Sequence, residues 1–145
     1  MRAAELVQAA PTADEIQYLE DRIYEFNSAV TGIADGDWLA IFARDSDRRI
    51  VGGICGNTWG GCFEIRQFWV DPAWRKEGLG TELYLAAERE ARQRNCRQVV
   101  LMTFTFQAPG FYAKHGFEVV AVLEDHPRGH SNLLLRKQLS QARSC

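Results

Sequence analysis

The sequence predicts a mixed α/β fold: a mostly antiparallel sheet of six to seven strands with a central parallel pair and flanking helices. The first half of the chain shows the alternating pattern of β-strands behind one amphipathic helix. The second half places a helix between two strands, and such a unit joins two parallel neighbours by a right-handed crossover. A length of 145 residues suits a single domain over 1–145, with a core that needs no metal or disulfide.

The first helix is marked by a signal at its N-terminus. A short strand is predicted at Glu5–Gln8, and Thr12 with Glu15 then forms the T-x-x-E capping box that opens the helix. Apolar residues recur every three or four positions and form one stripe: Ile16, Leu19, Ile23, Phe26 and Val30. Glycines at positions 32 and 36 end this pattern.

Three strands complete the first half. Asp37–Arg44 and Ile50–Gly60 are rich in β-forming residues and flank the polar turn DSDRR, which predicts an antiparallel hairpin. Cys62–Val70 continues the pattern as a third strand. The first half is therefore predicted to be a β-meander that follows one helix.

The second half contains two helices and three strands. Apolar residues between positions 79 and 91 lie on one face of a helix, and Val99–Phe104 is a continuous apolar run, as expected for a strand covered on both faces. A short helix is predicted at Ala108–Lys114. Two further strands are predicted at 117–123 and 131–139.

Composition and charge limit the partners of this chain. Its net charge is −2, whereas proteins that bind nucleic acids broadly are usually basic. No apolar run reaches membrane-spanning length, and the N-terminal segment turns polar too early for a signal peptide. Cys55, Cys62, Cys96 and Cys145 show no paired spacing, so we expect free, structural thiols. These observations predict a cytoplasmic protein that binds neither nucleic acid nor a membrane.

Two glycines, Gly78 and Gly80, stand at the start of the second predicted helix, directly after the basic pair Arg75 and Lys76. A Walker loop would need a lysine after a glycine, and the dinucleotide fingerprint would need a third glycine where Leu83 stands. What remains is R-x-x-G-x-G at a strand-to-helix junction, where bare amides and the helix dipole favour an anion. A turn that only packs the strand tightly on the helix is the alternative, and the glycines alone do not decide between the two.

A second segment, FQAPGFYAKHGFE at 106–118, sharpens the interpretation. In order, V-x-P-x-x-R-x-x-G-x-G and A-x-x-[LF]-Y-x-K-x-G-F resemble the GNAT superfamily of acyl-CoA-dependent N-acyltransferases. The residues that match are Val70, Pro72, Arg75, Gly78 and Gly80 in the first motif and Ala108, Phe111, Tyr112, Lys114, Gly116 and Phe117 in the second. In element order the resemblance covers about residues 14–139, so the fold expected is GNAT-like.

The resemblance implies acetyl-CoA as the cosubstrate and no metal. The loop expected to hold the pyrophosphate consists of Arg75, Lys76, Glu77, Gly78, Leu79, Gly80 and Thr81. In the family the central strand splays from its neighbour, so the backbone of Phe68, Trp69 and Val70 would pair with the pantetheine arm. Family members often carry an asparagine seven residues before the motif tyrosine; this chain has Thr105 there, which implies a shorter polar contact or none.

Two catalytic residues are expected. In the family the motif tyrosine, here Tyr112, protonates the departing thiolate; a core tyrosine that only packs the short helix is the alternative. The attacking amine must lose a proton, and Glu64 is the candidate base because it lies on the strand that should line the cleft. A strand glutamate is more often only a solvated side chain, so that alternative stays open.

Substrate-binding residues are expected at two places. Tyr24 and Asn27 lie off the apolar stripe of the first helix, and His130 lies in the loop between the last two strands. The spacing of His126 and His130 is that of a metal pair, but no third ligand is evident, so a loop is the better interpretation.

Together these features predict an N-acetyltransferase that moves the acetyl group of acetyl-CoA to a primary amine by direct attack in a ternary complex. A catalytically silent acyl-CoA-binding sensor of the same fold is the alternative, and the retention of Tyr112 and of a candidate base favours the enzyme. Small-molecule amines and protein amino groups both remain open as acceptors. Because exposed edge strands make dimers common on this fold, the resemblance also leaves room for a homodimer.

Overall fold

The structure is a computed structural model that describes residues 2–139. Within that range the elements are α1 (Ala13–Thr31), β1 (Asp37–Arg44), β2 (Ile50–Trp59), β3 (Cys62–Val70), α2 (Leu79–Gln93), β4 (Gln98–Phe104), α3 (Pro109–Lys114), β5 (Glu118–Glu124) and β6 (Ser131–Gln138). A 3₁₀ turn at Pro72–Trp74 follows β3. Two compact units, divided between Ala34 and Asp35, make up the chain; α1 belongs to the first and the sheet to the second.

Helix α1 begins as its sequence predicts. The Thr12 hydroxyl oxygen accepts from the Glu15 amide at 3.1 Å, and the Glu15 carboxylate accepts from the Thr12 amide at 2.9 Å. Gly32 ends the helix in the left-handed conformation, with φ of 72°. The residues of the apolar stripe are 47–69% exposed.

The strand predicted at Glu5–Gln8 is wrong, because these residues have no regular secondary structure. The segment offers one β-branched side chain, Val7, which is too little to favour an extended strand. Two other predicted elements start one residue later than expected, at Pro109 and Glu118. Phe117 turns inward instead: it is 8% exposed, and its amide donates to the Tyr112 carbonyl at 3.1 Å.

The sheet confirms the predicted mix of strand directions. Its six strands in the described residues run in the order β1-β2-β3-β4-β6-β5. Only the central pair, β3 with β4, is parallel, and α2 forms the crossover that joins them. All other neighbours are antiparallel.

The core lies between α2 and one face of the sheet, here called the core face. The most buried residues of this face come from four strands: Leu39, Ile54, Phe63 and Val99. Ala87 and Ala91 of α2 are fully buried as well, so their small side chains let the helix lie close to the strands. The opposite face, here called the outer face, keeps large side chains near half exposure, among them Trp38, Trp69 and Met102.

The central strands separate at a β-bulge. The register of β2 against β3 steps from Gly56↔Ile65 to Cys55↔Gln67, so Arg66 is the extra residue. The parallel ladder between β3 and β4 runs from Cys62 to Ile65 and stops there. Beyond Ile65 the two strands are no longer paired, and the sheet opens between them.

Three of the four cysteines lie among the described residues. Cys55, Cys62 and Cys96 are free, and Cys145 lies outside the described residues. No helix among the described residues is long and apolar enough to cross a membrane.

Gly56→Ala should destabilise the protein, because a Cβ at this position would lie 1.9 Å from the Glu64 carbonyl oxygen on β3. Relief requires the two strands to move apart at the bulge, which we expect to cost about 3 kcal/mol of unfolding free energy, the upper end for overpacking. The measurement is the urea midpoint. Gly110→Ala is the control: its Cβ would meet nothing within 4 Å, so an equal loss in both variants would contradict the bulge argument.

Candidate active site

A cleft of about 650 Å³ lies where β3 and β4 separate. Its walls are the separated strands, the glycine loop, the start of α2 and helix α3. The residues that line it are Ile65, Arg66, Phe68, Trp69, Val70, Arg75, Lys76, Gly78, Gly80, Thr81, Leu101, Met102, Thr103, Phe106, Gln107, Ala108, Phe111 and Tyr112. Both sequence motifs therefore meet at one cavity.

The cleft passes through the sheet. Leu101 and Thr103 of β4 lie on the core face and are 3% and 4% exposed, whereas Met102 between them lies on the outer face and is 50% exposed. On β3, Phe68 packs with the core residues while Trp69 is on the outer face. All five line the same cleft, so the cleft is lined by residues from both faces of the sheet.

The glycine loop ends the cleft on the core-face side. Gly78 precedes α2 with φ of 86°, a conformation that favours glycine, and no side chain caps the helix. The amides of Leu79, Gly80 and Thr81 belong to the first turn, where they have no intrahelical acceptor. Arg75 braces the loop, since its Nε donates to the Val70 carbonyl at 2.9 Å. These donors and the positive end of the helix can hold a diphosphate.

Tight packing does not explain the two glycines. A Cβ on Gly78 would meet nothing within 4 Å, and one on Gly80 would lie 3.6 Å from the Phe111 ring, an ordinary contact. The alternative left open by the sequence, a turn that only packs strand on helix, therefore loses its support. Backbone conformation accounts for Gly78, and no close packing contact accounts for Gly80.

Tyr112 lies on α3 with its ring in an aromatic cluster. It meets Phe68, Phe111 and Phe117 edge-on, with ring centroids 6.3, 5.4 and 5.5 Å away. Burial raises the pKa of Tyr112 to about 12, so the phenol keeps its proton at every working pH. A neutral phenol at the wall of this cleft can donate a hydrogen bond or a proton.

A second tyrosine, Tyr84, packs against α3 from the core. Tyr84 of α2 is fully buried, and its ring contacts Phe111, His115 and Phe117. Its hydroxyl donates to Glu88 at 2.7 Å, and the Lys137 ammonium of β6 donates to the same carboxylate. Burial works against the charge of Glu88, but these hydrogen bonds outweigh it and hold its pKa below the usual value. These contacts fix the position of the six-residue helix α3.

Most residues expected to bind the cofactor line the cleft; three do not. Leu79 packs against the core, and Glu77 is exposed in the loop. Thr105 instead connects two segments: its amide donates to the Ser131 carbonyl at 3.0 Å, and its hydroxyl oxygen accepts from the Ser131 amide at 3.3 Å. The hydroxyl oxygen of Thr105 thus helps to hold the start of β6, and a contact of this side chain with the cofactor stays a prediction.

The expected base and substrate residues are spread more widely. Glu64 is exposed on the outer face of β3, in register with Val100, and lies outside the cleft lining. His130 lies one layer behind the cleft, with its ring edge-on to Phe106 at 5.0 Å. Tyr24 and Asn27 lie on α1, so their assignment to substrate remains a prediction.

His126 meets the ring of Phe104 edge-on at 5.5 Å, so the two loop histidines are partners of aromatic rings. The described residues contain no group of three or more side chains that could hold a metal ion.

Sequence reasoning missed several residues of the cleft. Gln107 is the clearest case: its Oε1 accepts from the Thr103 hydroxyl at 3.0 Å and from the Phe104 amide at 2.8 Å, which fixes the end of β4. Arg66 and Met102 were missed because their positions depend on the bulge and on the gap between strands. The only local signal was the place of Gln107 directly before the second motif, which begins at Ala108.

The chain is similar to known acetyltransferases in both sequence and structure. The profile of the Acetyltransferase (GNAT) family matches residues 3–117. A protein named blasticidin-S acetyltransferase, from Streptomyces morookaense, is 35% identical over 101 residues, which are 69% of this chain and 74% of that protein. An acetyltransferase of Agrobacterium fabrum is 29% identical over 126 residues, 87% of this chain and 92% of that protein.

A solved structure has a similar fold. The crystal structure of an acetyltransferase from Bacillus cereus superposes with a TM-score of 0.77 at 30% sequence identity, covering 92% of this chain and 98% of that one. The family match spans well over half of the chain and contains both motifs whose residues line the cleft. The chain is therefore an enzyme of the acetyltransferase (GNAT) family.

Proposed function

We propose that this enzyme transfers the acetyl group of acetyl-CoA to the primary amine of a small molecule, by direct attack in a ternary complex. One observation carries the proposal: a single cleft crosses the sheet, with the glycine loop on one side, an outer-face opening on the other and Tyr112 in its wall. Two reactants can therefore enter from opposite faces and meet between β3 and β4. Holding both at once replaces a collision by a positioned reaction.

The donor would bind on the core-face side. The amides of Leu79, Gly80 and Thr81 would donate to the diphosphate, and Arg75 and Lys76 would add positive charge. The β3 backbone at Phe68–Val70, no longer paired with β4, would hold the pantetheine arm as a neighbouring strand would. Acetyl-CoA supplies the acetyl group as a thioester.

Two groups of the chain would assist the acyl transfer. A backbone amide of Phe68–Val70 would donate to the thioester carbonyl oxygen and stabilise the negative charge that develops there. Tyr112 would donate its phenolic proton toward the sulfur. With a phenol pKa of about 12 and a thiol pKa of about 8.5, full transfer in water would be uphill by roughly 5 kcal/mol, so the benefit lies in a hydrogen bond that strengthens as thiolate charge grows.

The attacking amine must be neutral, which is costly for a lysine-like amine, neutral to only roughly 1 part in 2,500 at pH 7. Since Glu64 lies on the outer face and outside the cleft lining, we propose that it collects the proton through water and without direct contact. Its exposed position keeps the carboxylate in exchange with solvent.

The relative named blasticidin-S acetyltransferase supports a small-molecule acceptor. The second candidate, a silent acyl-CoA sensor, would have no need for an opening on the outer face. Release of free thiol from acetyl-CoA with a panel of primary amines tests the function. Thiol release that depends on one of the amines supports the enzyme; unchanged acetyl-CoA with every amine, at saturating bound donor, would support the sensor.

Gly80→Asp should abolish coenzyme A binding while the fold persists. The new Cβ makes only ordinary contact with Phe111, and an aspartate in the first turn suits the helix dipole, but its charge would face the diphosphate. We expect the Kd measured by calorimetry to rise at least about 100-fold, the loss of two to three charge-assisted hydrogen bonds. Gly110→Asp, on the first turn of α3, is the control; unchanged affinity in Gly80→Asp would mean that the phosphates bind elsewhere. Gly78→Asp is a weaker test because φ of 86° already strains any side chain.

Tyr112→Phe should lower kcat by roughly 10²–10³, the range for removal of a general acid. Coenzyme A affinity should hold, because the phenyl ring keeps its contacts with the aromatic cluster. Tyr84→Phe is the comparison: it removes a hydroxyl that donates to Glu88 and lies outside the cleft lining, so it measures how far a weaker support of α3 alone lowers kcat. Unchanged kcat in Tyr112→Phe, with chemistry rate-limiting, would remove Tyr112 from the mechanism, and a loss no larger than that of Tyr84→Phe would give it a packing role only.

The pH profile should show no loss of activity on the alkaline side. Below the pKa of the acceptor amine, kcat/KM should rise tenfold per pH unit, because only the neutral amine attacks. Tyr112 has a raised pKa, so it stays protonated as pH rises and should cause no fall before about pH 11; a phenol at its ordinary value would be half ionised at about pH 10. A descending limb near pH 10 in the wild type that Tyr112→Phe lacks would contradict the raised pKa.

A further inference from the structure

The charged side chains that line the cleft are positive. Among the described residues its lining includes three cations, Arg66, Arg75 and Lys76, and no aspartate or glutamate. Arg75 and Lys76 belong to the glycine loop, where phosphates account for them. Arg66 lies at the bulge of β3 and is not part of that loop. Binding of the diphosphate therefore does not explain its positive charge.

The bulge is what brings Arg66 to the cleft. As the extra residue between the pairs at Ile65 and Gln67, it departs from the alternation of the strand, and bulges commonly re-aim a side chain in this way. Its Nη1 donates to the Asn57 Oδ1 at 3.4 Å. A guanidinium has five N–H donors in a planar fork, so it can exchange or add a carboxylate while its neighbours fix its position.

The rest of the outer-face opening is apolar. Trp69, Met102 and Phe106 line the cleft, and 48%, 50% and 56% of their surfaces are exposed. Such surface in a cleft favours an apolar or aromatic frame: an indole and a phenyl ring offer flat contact, and a thioether packs well on ring edges.

Phe106 is held by a second layer of rings. It stacks on Phe104 with a centroid distance of 5.3 Å and an angle of 7° between the planes, and His130 meets it edge-on at 5.0 Å. His126 meets Phe104 edge-on in turn. A phenyl ring fixed from behind costs little entropy when a ligand packs on it.

We propose that the acceptor is a primary amine on an aromatic or other planar frame that also carries a carboxylate, as an aromatic α-amino acid does. Its ring would pack on Trp69, Met102 and Phe106, its carboxylate would pair with Arg66, and its amine would reach the gap between β3 and β4. This inference rests on the proposed function. It excludes polycations, which need carboxylates that the cleft lining lacks.

The amine of such an acceptor also suits a cleft without a carboxylate in its lining. The α-amino group of an amino acid is less basic than a lysine-like amine, of which only about 1 part in 2,500 is neutral at pH 7, so a larger fraction of it is neutral. The energetic demand on a base is therefore smaller. Water and the exposed Glu64 can meet it.

The test compares matched acceptors that differ only in the carboxylate: phenylalanine with phenethylamine, and tryptophan with tryptamine. Leucine tests the ring, and spermidine tests the polycation. Values of kcat/KM are taken above the pKa of each amine, so that differences in neutral fraction vanish. We expect each carboxylate-bearing ring to exceed its partner by about 10- to 100-fold, the range for a hydrogen-bonded charge pair, and to exceed leucine and spermidine. Equal values within pairs, or spermidine as the best acceptor, would overturn the proposal.

Variants of Arg66 test whether this side chain causes the preference for a carboxylate. Arg66→Met should remove most of the preference for phenylalanine over phenethylamine, and Arg66→Lys should keep part of it. Arg89→Met is the charge-matched control, because Arg89 is exposed on α2 and outside the cleft lining. An equal fall for both acceptors in Arg66→Met would show a structural role and overturn the proposal.

Binding separates this inference from the proposed function. Calorimetry with coenzyme A present measures acceptor affinity without turnover. Arg66-dependent binding of phenylalanine without thiol release in any assay would support the acceptor site and refute the transferase. Turnover of other amines, without a carboxylate preference that depends on Arg66, would refute the inference and leave the transferase standing.

Discussion

The reactive geometry of this protein depends on the one-residue bulge at Arg66. Paired strands leave no space between them, since their amides and carbonyls bond at about 4.8 Å spacing. The bulge shifts the direction of β3, so the ladder with β4 stops at Ile65 and the backbone beyond it becomes available to a ligand. The glycine loop and α3 then lie on one side of the opening and the aromatic surface on the other. Without the opening these two groups would be separated by a continuous sheet.

A second support keeps the opening in shape. Helix α3 has six residues, too few to be stable alone, so its position must come from packing. Tyr84 supplies it, by three aromatic contacts and by a hydroxyl tied to Glu88, which Lys137 of β6 also binds. Strand β6 and helix α2 are thus joined at one partly buried carboxylate, and the Tyr84 ring extends this link to α3. The position of Tyr112 is a consequence of this packing, because its own ring is fixed by aromatic contacts.

What could be predicted from the sequence was local or periodic. The capping box of Thr12 and Glu15 uses residues three apart, and the parallel pair β3–β4 follows from a strand–helix–strand pattern. Each of the two motifs spans a single junction between elements, so each could be recognised from the sequence alone. Both line the same cleft. The bulge was not predictable, since it depends on the register of β3 against two neighbours. The contact between Thr105 and Ser131 was not predictable for a similar reason, since the two residues are 26 positions apart in the chain.

Gly56 has a consequence for how such an enzyme can change its acceptor. With the Glu64 carbonyl oxygen where a Cβ would be, the backbone at this point accepts no substitution without moving the strands. Gly56 therefore helps to keep the opening at its place along the sheet. If the acceptor binds as proposed, selection for a new acceptor would act on the side chains that line the opening: Arg66, Trp69, Met102 and Phe106. Sequences that share the glycine at this position can then diverge in substrate while keeping the same distance between donor and acceptor, so identity in the two motifs predicts the reaction better than it predicts the amine.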